Sequence, residues 1–440
     1  MSHQVAARKL LAQEARALIT RIERLSPFAL KTPMVTAAAI SPAAQTGVES
    51  LLLKRRRELR GMVERFLLWL EDRAQPPRAA GEAQRRFNVL RLRFNGIIRQ
   101  FDVFASVLTQ RSEHETGVWV AGLDDVAADA LRLPGDYFRA PPVICYLDRN
   151  HGAAIRRAFT RLPGGGENPV AVISVPRERM IGSGIASSLV HEAGHQGAAL
   201  LKLVPSLRSA LREKQDQDPE YRQAWTWFDK WISEIIADFW SVARIGIGST
   251  QGLMAVVSLP RPMVFRLTVD DPHPIPWLRV KISCAIGEAL YPHPQWQKLA
   301  AVWETLYPRE GAPPAVLAAI EECEAVLPEF VQLLAQHRPT TLKGQTLANV
   351  LTLDGMQPRA LQQEYAKWRK SPELTRVVSP CRVFAVIGQA RADGLLSPDL
   401  EGRALSRLLT YWALKSSLDT SADCAPLLRS RVTSHYAALI

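Results

Sequence analysis

No stretch of this 440-residue chain has the about 18 uninterrupted apolar residues of a membrane-spanning helix. A secretory leader is not expected either. The first residues, MSHQVAARKLLAQEARALITRIERL, lack a continuous apolar core, and charges recur through them. They read as an amphipathic helix, and a cytoplasmic setting is expected. Cysteine is sparse. Cys145, Cys284, Cys323, Cys381 and Cys424 lie far apart and never in C-x-x-C spacing. That excludes a disulfide framework and a cysteine-based structural zinc site, and leaves small buried apolar residues. There is no internal repeat and no low-complexity tract. The glycine run in Leu162-Pro-Gly-Gly-Gly-Glu-Asn-Pro169 is not followed by Lys-Ser/Thr, so it is read as a hairpin turn and not a phosphate loop.

The sequence is nevertheless 47% hydrophobic, enough for a sizeable core. Its formal charge is +12, and residues 1–115 hold 20 Lys and Arg against 11 Asp and Glu. Lys54-Arg55-Arg56-Arg57 is the densest run. Such a surface suits nucleic acid or an anionic membrane. The interleaved Glu58, Glu64, Glu71 and Asp72, with no visible nucleic-acid module, favour a solvated helical face or an acidic partner.

Ser183 to Leu203, SGIASSLVHEAGHQGAALLKL, is the stretch the chain is organised around. Ile185, Leu189, Ala193 and Ala198 to Leu201 give it helical spacing, and Ser183 is the expected N-cap. Within it, His191-Glu192-Ala193-Gly194-His195 is an H-E-x-x-H motif. Residues four apart share a helix face, so both imidazoles can reach one metal ion, and Glu192 can act on a water beside it. Gly194 costs a helix roughly 1 kcal/mol relative to Ala. It makes sense where another backbone comes close. A catalytic zinc needs a third protein ligand. Trp225 to Arg244 reads as a second helix, and its Glu234 is the candidate. Asp238, one turn on, can fix the tautomer of a ligand histidine. Both carboxylates lie among Trp231, Ile235, Ile236, Phe239 and Trp240, where a free charge is costly.

HEAGH followed by Glu-Ile-Ile-Ala-Asp resembles the gluzincin metallopeptidases, whose pattern is HExxH and then ExxxD. The E-x-x-A-D form is similar to the group holding the CAAX prenyl protease and the HtpX-like proteases. Asp271-Pro-His273-Pro-Ile-Pro-Trp-Leu-Arg279 resembles that group's H-P-x-x-x-x-R element. The resemblance spans roughly residues 170–285 and neither end of the chain. It departs from the group in having no membrane span. It implies one catalytic Zn2+ held by His191, His195 and Glu234, Glu192 as general base, and His273 facing the cleft as an oxyanion donor. Arg279 either donates to a substrate carbonyl or orients the site through a carboxylate. Pairing of Arg279 with Asp270 or Asp271 in a structural turn is the bland alternative. His293, in a similar Pro-His-Pro setting, is the rival donor.

The expected fold is mainly α with a small β-sheet. A helical region 1–115 precedes a zincin-like domain 116–305 and a helical region 306–440. In the first, Gln4–Leu25, Val48–Asp72 and Ala83–Arg111 read as helices, Ser26–Gly47 as a linker, and Pro76-Pro77 as a stop. Gly117–Leu131 suggests a short strand and a helix. Pro142–Leu147 and Val170–Pro176 read as strands. The resemblance to zincins implies a sheet edge above the metal, and if Val170–Pro176 or its neighbour is that edge, a peptide could add to it. Ile282–Leu290, Pro294–Tyr307, 312–336, Leu361–Trp368, Pro380–Asp393 and Leu400–Leu418 read as helices. The function expected is a zinc-dependent endopeptidase acting on a specific extended peptide or protein segment. The alternatives are a catalytically silent zincin-fold binding protein and a nucleic-acid-associated protease.

Overall fold

A computed structural model describes residues 3–25, 32–72, 79–149, 152–177 and 182–437. The protein is mainly α-helical with one three-stranded sheet. In chain order the elements are α1 (His3–Arg24), α2 (Pro42–Glu71), α3 (Ala80–Thr109), α4 (His114–Leu131), β1 (Val143–Asp148), β2 (Ala154–Arg156), β3 (Ala171–Pro176), α5 (Gly184–Leu200), α6 (Leu203–Gln217), α7 (Arg222–Ile245), α8 (Ile247–Val257), α9 (Arg261–Val264), α10 (Pro276–Leu290), α11 (Gln295–Leu306), α12 (Pro314–Gln336), α13 (Leu347–Leu351), α14 (Pro358–Lys370), α15 (Pro380–Ala392) and α16 (Pro398–Ala437).

The chain divides into two compact units, which do not coincide with the expected segments 1–115, 116–305 and 306–440. One contains residues 1–118, 157–171 and 417–440; the other contains 119–156 and 172–416. In the first, α1, α2 and α3 pack on one another. Leu52, Leu59, Val63, Phe66 and Leu70 of α2 recur at helical spacing and meet Phe87, Leu90, Phe94, Ile97 and Phe101 of α3. The expected linker ends early. Residues from Pro42 are already helical, because Pro42 takes the first helical position and the Ser41 side chain accepts from Ala44 N. Residues 26–31 of that linker and Pro76-Pro77 lie outside the described residues.

The second unit is built on α7. Its residues from Ile235 to Ile245 are all buried, so its C-terminal half is enclosed on every side, Asp238, Ser241 and Arg244 included. Helices α5, α6, α8, α10, α12 and α15 pack against it. Phe228 stacks on Phe330 of α12, with ring centroids 3.8 Å apart. Residues 307–416 thus belong to the same unit as the helices before them. The region 117–131 holds no strand. Val120, Leu123, Val126, Ala127 and Ala130 repeat at three- and four-residue steps and are buried as one face of α4.

In the sheet, β3 is central and completely buried, with β1 on one side and β2 on the other. β2 pairs antiparallel to β3 with Ala154 opposite Ser174, Ile155 opposite Ile173 and Arg156 opposite Val172. β2 was not apparent in the sequence. It is three residues long and lies against α5. The edge strand near α5 is therefore β2, its neighbour β3 being covered on both sides. No helix of the described residues is long and apolar enough to cross a membrane. None of the five cysteines is in a disulfide; Cys145, Cys284, Cys323 and Cys381 are buried and Cys424 is exposed.

Candidate metal centre

Helices α5 and α7 carry the centre, and small residues let them approach closely. A Cβ added at Gly194 would lie 2.9 Å from Trp240 Cβ and 3.1 Å from Ala237 Cα. One added at Gly197 would lie 2.3 Å from the Trp240 ring. The backbone that comes close at Gly194 is thus that of α7. Trp240 is held in turn by donating from Nε1 to Ala130 O at 2.9 Å. The N-terminus of α5 corrects one expectation. The Ser183 side chain makes no capping bond and its backbone is already helical. The cap is Glu401 of α16, whose Oε1 accepts from Ser183 N at 2.8 Å and which also pairs with Arg391 at 3.2 Å.

This packing brings His191 and His195 of α5 against Glu234 of α7. His191 Nε2 is 3.3 Å from Glu234 Oε2, and His195 Nε2 is 3.4 Å from Oε1. One donor atom from each of the three residues lies within 4.8 Å of the others. The two separations run to different Glu234 oxygens, so the convergence is of three residues around one point and not yet of three donors on the edges of about 3.3–3.4 Å that zinc bonds of 2.0–2.1 Å in a tetrahedron imply. Two imidazoles and a carboxylate are a donor set that zinc favours. His191 Nδ1 donates to Asp238 Oδ1 at 2.8 Å, which leaves Nε2 as the free donor atom.

Arg279 of α10 lies behind the carboxylates. Its Nε donates to Asp238 Oδ2 at 2.7 Å, and its Nη2 reaches Asp238 Oδ1 at 3.0 Å and Glu234 Oε2 at 3.3 Å. Of the roles open to it in the sequence, the geometry is that of orienting carboxylates. It does not pair with Asp270 or Asp271 among the described contacts. His273 stands at the rim with a side chain 48% exposed. Asp271 Oδ1 accepts from both its backbone N and its Nδ1, at 3.0 and 2.6 Å, and its Nε2 comes within 3.4 Å of Glu234 Oε2. His293 is elsewhere. It does not line the cavity, and its Nδ1 accepts from Gln295 N.

The electrostatics follow from this packing. Burial alone would lower the pKa of His191, but the charge and hydrogen bond of Asp238 outweigh it and raise it to about 9. Burial pushes Asp238 up, yet Arg279 and His191 bring it down to about 2. Glu234 feels the same opposition, and hydrogen bonds from His191 and His195 hold it well below the usual carboxylate range. Glu192 is different: burial raises it, with His191 and His195 only partly opposing. It is the acid in this cluster with the strongest tendency to hold a proton.

A cavity of ≈ 380 Å³ opens onto these groups. Its walls include His191, Glu192, His195, Glu234, His273 and Arg279, with Ala154 and Ile155 of β2 opposite. Beneath it Ser187, Ser241 and Ser249 close a hydrogen-bonded ring: Ser187 Oγ donates to Ser249 O, Ser249 Oγ to Ser241 Oγ and Ser241 Oγ to Ser187 O. These serines and β2 were not singled out in the sequence, and Asp271 was named there only as a possible partner of Arg279. Only Asp271, two residues before His273, carried a readable signal. Comparisons of the chain with protein families, with curated proteins and with solved structures return no match.

Proposed function

We propose that this protein is a zinc-dependent endopeptidase with a gluzincin-like centre. The observation that carries the reading is the convergence of His191, His195 and Glu234 donor atoms in one cavity beside the buried carboxyl of Glu192. The resemblance of HEAGH, EIIAD and HPIPWLR to the gluzincin elements supports it. His191, His195 and Glu234 would hold the ion. A bound zinc supplies Lewis acidity, polarising a carbonyl and lowering the pKa of a water toward neutrality.

The remaining work belongs to the chain's own residues. Glu192 takes the proton of the attacking water and passes it to the leaving amine. Its burial suits it to hold that proton between the two transfers. His273 offers Nε2 to the oxygen on which negative charge develops, while Asp271 holds the opposite side of the ring. Asp238 and Arg279 keep His191 and Glu234 in place. An extended peptide pairs with the outer edge of β2, so binding reads backbone before side chain. The substrate class is an extended peptide or protein segment, met in the cytoplasm.

The test is zinc content together with peptide cleavage. Purified wild type should carry one zinc per chain, and His191→Ala, His195→Ala and Glu234→Ala should lose most of it. Glu192→Gln should keep zinc and lose turnover, because it removes the base without touching a ligand. Equal cleavage by wild type and Glu192→Gln would exclude the mechanism. Zinc bound by a wild type that cuts no member of an extended-peptide library would favour the binding-protein alternative.

A further inference from the structure

The first unit holds a groove that the metal centre does not use. Two cavities, of ≈ 270 and ≈ 610 Å³, lie along the seam of α2 and α3 and share Met62 and Arg93 as lining residues. Together they form one channel from Trp69 to the 162–166 turn. Arg55 and Arg65 of α2, Arg86 and Arg93 of α3 and Arg161 of the turn line it, and no lysine does. Its one acidic residue, Glu58, is taken by Arg55. Arg65, Arg93 and Arg161 have no acidic partner among the described residues. Arg55 is only 8% exposed, and its Nε has no hydrogen-bond partner there.

Both ends are built rather than loose. At one end Gly164, Gly165 and Gly166 have φ of 75°, 96° and 87°, a left-handed run that needs glycine. Gln100, fully buried, donates from Nε2 to Pro163 O and to Gly165 O, the latter at 2.8 Å, and Gly96 lets Gly164 lie directly on α3. This fixes Arg161 as one wall. At the other end the Arg86 guanidinium lies 4.0 Å over the Trp69 ring and reaches Glu82 at 3.5 Å. It presents a flat, cationic outer face of the kind on which a nucleobase stacks.

We propose that this groove binds single-stranded nucleic acid. Planar guanidinium forks suit phosphate better than lysine does, and a stacking face suits a base and not a carboxylate. Fourteen residues of α2 separate Arg55 from Trp69, or about 21 Å, a run of several nucleotides. A stacking face at Trp69 and Arg86 takes an unpaired base, which a single strand offers and a duplex does not. The sequence alone, with Glu58, Glu64, Glu71 and Asp72 among the basic residues, favoured a solvated face or an acidic partner. The structure shows that Glu58 is already neutralised by Arg55.

The experiment is fluorescence anisotropy of the full-length protein with a labelled oligothymidylate of about 15 nucleotides, from about 50 to 200 mM salt. Binding should weaken steeply with salt. Arg93→Gln/Arg161→Gln should raise Kd about tenfold or more and reduce the log–log salt slope by about 0.7 per arginine. Lys54→Gln/Arg57→Gln, the same charge change on α2 outside the groove, should change Kd by less than about threefold. Zinc content should be unaffected in both, which separates this test from that of the peptidase reading. Any of the following would overturn the proposal: no binding at low salt, equal losses in the two double variants, or equally effective competition by duplex DNA, polyglutamate or anionic lipid vesicles.

Discussion

Three imidazole nitrogens, from His191, His195 and His273, stand 3.3 to 3.4 Å from the oxygens of one carboxylate, Glu234. Asp238 and Arg279 hold it from behind: Asp238 accepts from His191 and Arg279, and Arg279 reaches both carboxylates. Asp238→Ala should therefore weaken zinc affinity roughly 10–100-fold through His191, with little change in kcat once the site is saturated. Competition against a chelator measures this, and an unchanged affinity would remove Asp238 from the support of the ligands. His273 has the opposite signature. It sits at the rim, half exposed and tied to Asp271, so His273→Ala should keep zinc and fold and lower kcat by roughly 10²–10³. A normal rate in that variant would leave the developing oxyanion without a histidine donor, since His293 does not line the cavity.

The helix pair is a device of close approach. α5 carries Gly194 and Gly197 on the face toward α7, and Trp240 fills the space that two side chains would need. Gly197→Ala makes the balance testable. Alanine improves helix propensity by about 1 kcal/mol, while overpacking against a buried indole costs about 1–3 kcal/mol. The ring cannot retreat without losing its bond to Ala130, so the overpacking cost lies at the upper end and a net loss of up to about 2 kcal/mol is expected in urea unfolding. Zinc affinity should fall with it, because His195 lies two residues from the displaced turn. Full stability and affinity in Gly197→Ala would mean that α5 and α7 are not held at their limit of approach.

At the scale of the whole molecule, a metal held between α5 and α7 bridges the two helices with the most extensive mutual packing in their unit. An ion that binds only the folded form stabilises it by mass action, about 2.7 kcal/mol at a free concentration one hundred times Kd. Calorimetry should show a higher melting temperature with zinc, reversal by chelator, and no shift in Glu234→Ala. A shift that persists in Glu234→Ala would locate the stabilising ion elsewhere.

The sequence by itself determined what depends on near neighbours along the chain. Four-residue spacing put His191 with His195 and Glu234 with Asp238 on single helix faces, and apolar periodicity marked most helices and the β3 strand. It missed β2, which has three residues and no room for a pattern, the start of α2, masked by small residues and proline, and the helices α6 and α8 altogether. The tertiary structure alone decided which distant groups meet. Glu401 caps Ser183 across 218 residues, Arg279 turned to Asp238 instead of Asp271, and Asp271 turned His273 Nε2 toward Glu234. The physical reason is the range of the forces. Helical periodicity is set within a turn or two of backbone, whereas the partner of a buried charge is whichever opposite charge the packed core leaves within about 3 Å.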